Sequence, residues 1–328
     1  MYASLLFAFG ALGASALPNL AVWNGTSPSN CSSSSSSSVN DTQILQFALT
    51  LENLENAFYM EGLSKFNDSA FQSAGFAPVI RERYLQIMQH ERTHVAFLSA
   101  ILGNWSTQPC NYTFPLNTVQ DFVTTSFALE SAGQAAYLGA GSLLQNKSLI
   151  PVTGSILSVE GRQASWISSA ALNATPWNGP FDTPINASDI FSLASPFITT
   201  CPSTNPPLIV TPLNTLTLTP ANATAGSNVT VQVGGPDFNS SSIPIISSAT
   251  PAAAPALGGN FLAYFHGLGV SFSPIAQDNT TSVPTGLQGL VFASVVSTNS
   301  SVPSANTTLS GLAPLNIGVQ PTADNSLN

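Results

Sequence analysis

At 328 residues the chain is long for one domain and comfortable for two, and either half could bury a core of its own. Only 6% of residues are charged, against roughly 25% in ordinary soluble domains, and the net charge of −9 comes from 15 acids set against 6 bases. No basic patch can be assembled from so few cations, which excludes a nucleic-acid partner.

In chain order, residues 5–12 form a short apolar run, and Ala14-Ser15-Ala16 offers a small-x-small cleavage site, so residues 1–16 read as a signal peptide. The run is too short to span a bilayer, and no later segment reads as a membrane span. The polar segment Ala323-Asp324-Asn325-Ser326 lacks the apolar tail of a lipid-anchor signal. The expected address is therefore secreted, extracellular or cell wall. Residues 17–41 form a Ser-rich lead-in with Cys31 beside the serine run 32–38.

Four helical segments follow, expected at 42–66, 78–102, 118–145 and 151–172, within a bundle spanning 42–172. Asp41 precedes the first, Pro78 opens the second, Gly103 closes it and Pro151 opens the fourth. Residues 173–207 are rich in Pro and aromatics and read as an extended tail wrapping the bundle. Beyond 208 the period changes: runs at 213–218, 229–233, 261–265, 270–272 and 290–296, parted by Pro, Gly and Asn-Ser, predict an all-β sandwich of immunoglobulin-like size through 328. The fold class expected is α+β and multidomain, a four-helix bundle followed by that sandwich. Cys110 and Cys201 sit in ordered-looking contexts, and a disulfide between them is expected in an oxidising compartment.

Fifteen Asn-x-Ser/Thr sequons occur, at Asn24, Asn30, Asn40, Asn67, Asn104, Asn111, Asn146, Asn173, Asn186, Asn222, Asn228, Asn239, Asn279, Asn299 and Asn306. None falls inside the four helical segments, as burial of a glycan would forbid. On so charge-poor a chain, N-linked glycan is the expected solubilising layer.

The chemistry sits in the helices, which hold all seven glutamates. In the second, Tyr84, Ile87, Met88, Glu91, His94, Val95 and Leu98 share one stripe, so Glu-x-x-His is set among apolar residues. In the fourth, Ile156, Val159, Glu160, Gln163 and Ile167 repeat the arrangement with Gln in place of His. A carboxylate in an apolar stripe costs several kcal/mol unless paired or metal-bound. The first and third helices each carry Glu-x6-Tyr, Glu52 with Tyr59 and Glu130 with Tyr137, two turns apart on one face. The four helices read as two copies of one pair.

This is the pattern of carboxylate-bridged dimetal bundles, with hard oxygen ligands and an imidazole at i, i+3. By position Glu52 and Glu130 are terminal metal ligands, Glu91 and Glu160 bridging ones, and His94 binds one metal. Gln163 stands at the second histidine's place and compromises that metal position. The site then holds iron or manganese, as one or two ions, or stays empty with its acids paired to His94, Arg92 or Arg162. Tyr59 and Tyr137 are hydrogen-bonding or core residues, with a redox role as the alternative.

The segments from Leu49 to Tyr59, His90-Glu91-Arg92-Thr93-His94, Glu130-Ser131-Ala132-Gly133 with Ala136-Tyr137-Leu138-Gly139-Ala140, and Pro176-Trp177 with Phe181-Asp182-Thr183-Pro184 resemble the fungal secreted ferritin-like proteins. These are described as stress-response or late sexual-development proteins related to plant desiccation-related proteins. The resemblance implies a ferritin-like bundle and a stress or developmental role without a settled reaction. Relatives carry Glu-Ala-Arg-His where this chain has Glu160-Gly161-Arg162-Gln163. The function expected is a non-catalytic or weakly redox-active protein at the cell wall or matrix, with no catalytic or cofactor-binding residue assigned beyond the metal ligands. The alternative is a metal-dependent (Fe/Mn) oxidase or peroxide-consuming enzyme. A third reading takes His90-Glu91-x-x-His94 as a zinc-metalloprotease motif, and wall or matrix polysaccharide is a further candidate partner.

Overall fold

Caps at the helix ends explain where the helices begin. The computed structural model describes residues 39–236, 242–245, 254–299 and 303–317. The signal peptide, most of the Ser-rich lead-in with Cys31, and the sequons at Asn24, Asn30 and Asn239 lie outside the described residues. Helix α1 (Asp41–Lys65) starts at a capping box: Asn40 Oδ1 accepts from Gln43 N at 2.9 Å, and Gln43 Oε1 accepts from Asn40 N at 3.1 Å. The short α2 (Asp68–Ser73) is capped by Asn67. Helix α3 (Pro78–Leu102) has Pro at its first turn and ends at Gly103, whose φ of 54° belongs to the left-handed region glycine tolerates. Helix α4 (Val119–Gly141) opens on a Thr118/Asp121 capping box. It stops short of the expected residue 145, because the Asp41 carboxylate accepts from Gln145 N and Asn146 N at 2.7 and 2.8 Å and turns the chain. Helix α5 (Ile150–Trp166) relaxes into a π-helical turn, Ile167–Ala171.

Helix α1 packs along α3, α4 along α5, and α1 against α4. At one end of the bundle the Phe122 ring stacks on Phe58, centroids 5.1 Å apart, and meets Tyr84 edge-on at 4.9 Å. Gly62 permits this packing, since a Cβ there would lie 2.3 Å from the Phe122 ring.

The segment expected to be an extended tail contains a further helix, α6 (Ala187–Ala194). Asn186 caps it, and Ile190, Phe191 and Ala194 are buried against the bundle. Strand β1 (Asn111–Tyr112) pairs with β2 (Ile198–Thr200), and the adjoining Cys110–Cys201 disulfide is formed as expected.

The strand-rich half comprises β3 (Asn214–Thr219), β4 (Asn222–Ala223), β5 (Asn228–Pro236), β6 (Phe261–His266), β7 (Gly269–Pro274), β8 (Thr280–Ser282), β9 (Gly289–Val296) and β10 (Ala313–Ile317). They form a five-stranded sheet, β4-β10-β9-β6-β7, and a three-stranded one, β3-β5-β8. The two share a core of Leu216, Leu218, Val229 and Val231 against Leu262, Tyr264, Val291, Val295 and Leu315. The α+β class therefore holds.

Strand β9 is buried along its whole length, because its two faces serve different cores. Val291, Ala293 and Val295 belong to the sandwich, while Leu290 and Phe292 join the helical core. The Asn178 side chain fastens the junction: its Nδ2 donates to Leu290 O at 2.6 Å and its Oδ1 accepts from Leu290 N at 2.9 Å. All twelve sequon asparagines among the described residues are exposed.

The disulfide joins residues 91 apart in sequence, and closing so long a loop restricts the unfolded chain strongly. The Cys110→Ser variant is expected to unfold at lower denaturant, losing about 4 kcal/mol. Equilibrium urea denaturation measures this, and an unchanged midpoint would contradict it.

Candidate metal centre

Each of the four long helices turns one acidic face into the bundle. Glu52 and Glu55 lie a turn apart on α1, Glu91 and His94 on α3, and Glu160 and Gln163 on α5, with Glu130 on α4. Glu52, Glu91, Glu130 and Glu160 are each 0% exposed, and Glu55 is 3% exposed. Five of the seven glutamates are thus inside the protein.

The cluster has two halves joined by Glu91. In the first, His94 Nδ1 lies 3.1 Å from Glu91 Oε2, 3.2 Å from Glu52 Oε2 and 3.4 Å from Glu160 Oε1. Glu52, Glu91, His94 and Glu160 each offer a ligand atom, all within 4.8 Å of one another. In the second half, Gln163 Nε2 donates to Glu91 Oε1 at 2.6 Å and to Glu130 Oε2 at 2.8 Å. Gln163 Oε1 lies 3.0 Å from His90 Nδ1, which fixes the amide's orientation. The tyrosines cross over: Tyr59 of α1 donates to Glu130 Oε1 on α4, and Tyr137 of α4 donates to Glu52 Oε1 on α1. Both carboxylate oxygens of Glu160 are buried without a hydrogen bond.

Residues 40–173 match the ferritin-like domain family. The helical half is thus a ferritin-like domain. Over 169 residues the chain is 27% identical to protein rds1 of Schizosaccharomyces pombe (strain 972 / ATCC 24843), an alignment covering 52% of this chain and 42% of that relative. The chain therefore spans less than half the length of the relative it matches.

All six residues singled out as metal ligands meet in this ferritin-like interior. Glu52, Glu91, His94 and Glu160 converge, while Glu130 and Gln163 sit beside them, linked through Glu91. Sequence reasoning missed Glu55, although its i, i+3 spacing from Glu52 matches that of His94 from Glu91. Gly133, three residues after Glu130, makes room for it. A Cβ at Gly133 would lie 2.7 Å from Glu160 Oε2 and 3.0 Å from Glu55 Oε1. Arg92 and Arg162, expected as alternative partners for the acids, are exposed, and among the described residues neither forms an ion pair with them. His90 is exposed and outside the converging group, so the geometry does not assemble the zinc-protease motif.

Burial, repulsion among the acids, and contact with His94 set the electrostatics. Desolvation, with repulsion from Glu52 and partial relief from His94, pushes the Glu91 carboxyl up to about 7. Desolvation and the nearby Glu91, again relieved by His94, push Glu160 up to about 7. Glu55 and Glu130 are raised well above the carboxylate range, first by burial and then by the surrounding acids. Burial alone would lower the His94 imidazole, but Glu160, Glu52 and Glu91 outweigh it and raise it. Burial and the adjacent carboxylates also raise the Tyr59 and Tyr137 hydroxyls, which keeps both as hydrogen-bond donors.

A cation suits this donor set. The oxygens of Glu160 have no hydrogen bond and share the His94 imidazole, 3.4 Å away, with two other carboxylates, and carboxylates with one imidazole match the preferences of a hard or borderline ion. In the half containing Gln163, an amide N–H₂ already donates a hydrogen bond to each facing carboxylate.

The raised carboxyls bind more protons folded than unfolded, so their ionisation opposes folding as pH rises from about 4.5 through about 7. His94, raised as well, acts in the same direction: its contribution is full below its unfolded value and is lost on the alkaline side. Chelator-treated protein is therefore expected to melt several degrees lower at about pH 8 than at about pH 5, and added metal to remove that difference. Thermal denaturation followed by circular dichroism checks it; a melting temperature rising with pH in chelator would contradict the assignment.

Proposed function

We propose that this ferritin-like chain is a secreted, N-glycosylated stress- or development-associated protein of the cell wall or matrix, whose bundle holds one iron or manganese ion in the His94 half. The convergence of Glu52, Glu91, His94 and Glu160, with neither Glu160 oxygen hydrogen-bonded, carries the metal part of the reading. Export is supported by the Cys110–Cys201 disulfide, a bond suited to oxidising compartments, and by exposure of every described sequon. The stress or developmental role rests on the family resemblance.

The four converging residues would hold the ion, which would supply one-electron redox or Lewis-acid chemistry. The protein's own groups hold that half rigid: Tyr137 fixes Glu52 from the opposite helix, and Glu91 is anchored at its far oxygen by Gln163. The Gln163 amide fills the other half with a neutral donor, which favours a non-catalytic or weakly redox-active protein over a two-metal oxidase.

Elemental analysis of protein secreted from a eukaryotic host, and never exposed to chelator, tests this. One equivalent of iron or manganese is expected, lost in Glu160→Gln and His94→Ala, with a second equivalent gained in Gln163→His. No bound metal in the native protein removes the metal reading, and two equivalents remove the single-ion reading. Mass loss on endoglycosidase treatment reads the glycan separately.

A further inference from the structure

A cavity of about 260 Å³ lies where the bundle meets the strand-rich half. Leu54 of α1 and Leu129 of α4 wall it on one side; Ile190 of α6, Phe292 of β9 and Leu312 close it on the other. Ser and Thr side chains also contribute to the lining, but Glu55 is its single ionisable group among the described residues. Glu55 is 3% exposed, and no hydrogen bond to its carboxyl is found among the described residues.

We propose that this cavity is a binding site for a small, largely apolar molecule bearing one hydroxyl group, of the size of an alkyl-substituted phenol. The apolar walls favour displacing water for hydrocarbon, and each buried wall residue contributes by the area it shields. Glu55 supplies the polar requirement, because it lines the cavity and a ligand group there can hydrogen-bond to its carboxyl. A hydroxyl does so whether the carboxyl is ionised or neutral, donating to a carboxylate or accepting from a carboxylic acid. A carbonyl, which only accepts, would fit the neutral acid alone. The volume sets the size: a dry apolar cavity of about 150 Å³ accepts benzene, so the larger space here suits a ring with a short substituent.

The position of the cavity gives the strand-rich half a purpose. Helices α1 and α4 supply one wall only, and β3, β9 and the residues around Leu312 form the other. On the bundle side the lining includes Gly133, whose missing side chain leaves Glu160 Oε2 within reach of the same wall. A hydroxyl bound at Glu55 is thereby placed beside the carboxylate cluster. The site is defined by the walls and by Glu55, so it stands whether or not the cluster holds an ion.

Isothermal titration of the full glycosylated chain with para-propylphenol tests the proposal, using chelator-treated and metal-loaded protein in parallel. Saturable binding to one site is expected in both. Propylbenzene, which lacks the hydroxyl, is expected to bind about tenfold more weakly, as is para-propylphenol to the Glu55→Met variant. Leu312→Trp, which fills the cavity from the side away from the carboxylates, is expected to abolish binding while retaining the native circular dichroism spectrum. Absence of saturable binding to the native chain overturns the proposal, as does undiminished binding to folded Leu312→Trp. Equal affinity for propylbenzene and para-propylphenol on the native chain overturns the role of Glu55, and that comparison needs no variant to fold.

Discussion

Five carboxyl groups buried around one imidazole are the constraint to which the rest of the bundle answers. An isolated buried carboxylate costs several kcal/mol, and like charges at close range add to it. The chain has few ways to offset this, since Arg92 and Arg162 point to solvent. It uses neutral hydrogen bonds from Tyr59, Tyr137 and Gln163, one imidazole, and protons retained by the raised acids. Each device has a limit. A tyrosine satisfies one oxygen, and His94 is already shared among three carboxylates. Glu160 has only a share of that imidazole and no hydrogen bond to either oxygen. That shortfall, in a protein that otherwise avoids charge, marks the cluster as a candidate ligand set rather than a purely structural hydrogen-bond network.

The same scarcity of charge shapes the outside and the junction. The described sequon asparagines are exposed in connections, caps and strand ends, where an attached glycan would meet no packing. The strand-rich half does not float on a linker. Leu290 and Phe292 enter the helical core, and Asn178 pairs with the Leu290 backbone much as a strand neighbour would. Strand β9 thus explains a feature of the sequence: its apolar run, interrupted by Ser294 alone, reflects two buried faces, where β3 and β5 alternate because one face meets water.

Legibility followed periodicity. The bundle and the ligand positions could be read because 3.6-residue spacing places Glu91 with His94 and Glu52 with Tyr59 on common faces, independent of distant contacts. Partners across helices could not: that Tyr59 would serve Glu130 and Tyr137 serve Glu52 depends on how α1 lies against α4. Glu55 was visible by spacing but is buried only because Gly133 opposite it is small. Helix α6 was hidden by the prolines on either side, although Asn186 and Asp189 carry a cap signal. Strand β10 was missed because Pro314 disguises it; Ala313, Leu315 and Ile317 still alternate inward, with Pro314 exposed on the other face.

Gln163 shows how one side chain can decide what a symmetric scaffold does. The helix pairs repeat the same acidic geometry, so the two halves of the cluster would be near-equivalents if both ended in imidazole. An imidazole nitrogen facing two carboxylates can release its proton and bind a metal in its place. An amide nitrogen cannot: it stays a donor, and its oxygen is turned away toward His90. For Gln163 Oε1 to face the cluster, two short hydrogen bonds to carboxylates would be exchanged for two oxygen–oxygen contacts. The amide is therefore locked as a neutral surrogate for a cation, and the asymmetry of the centre follows from hydrogen-bond polarity rather than from its shape.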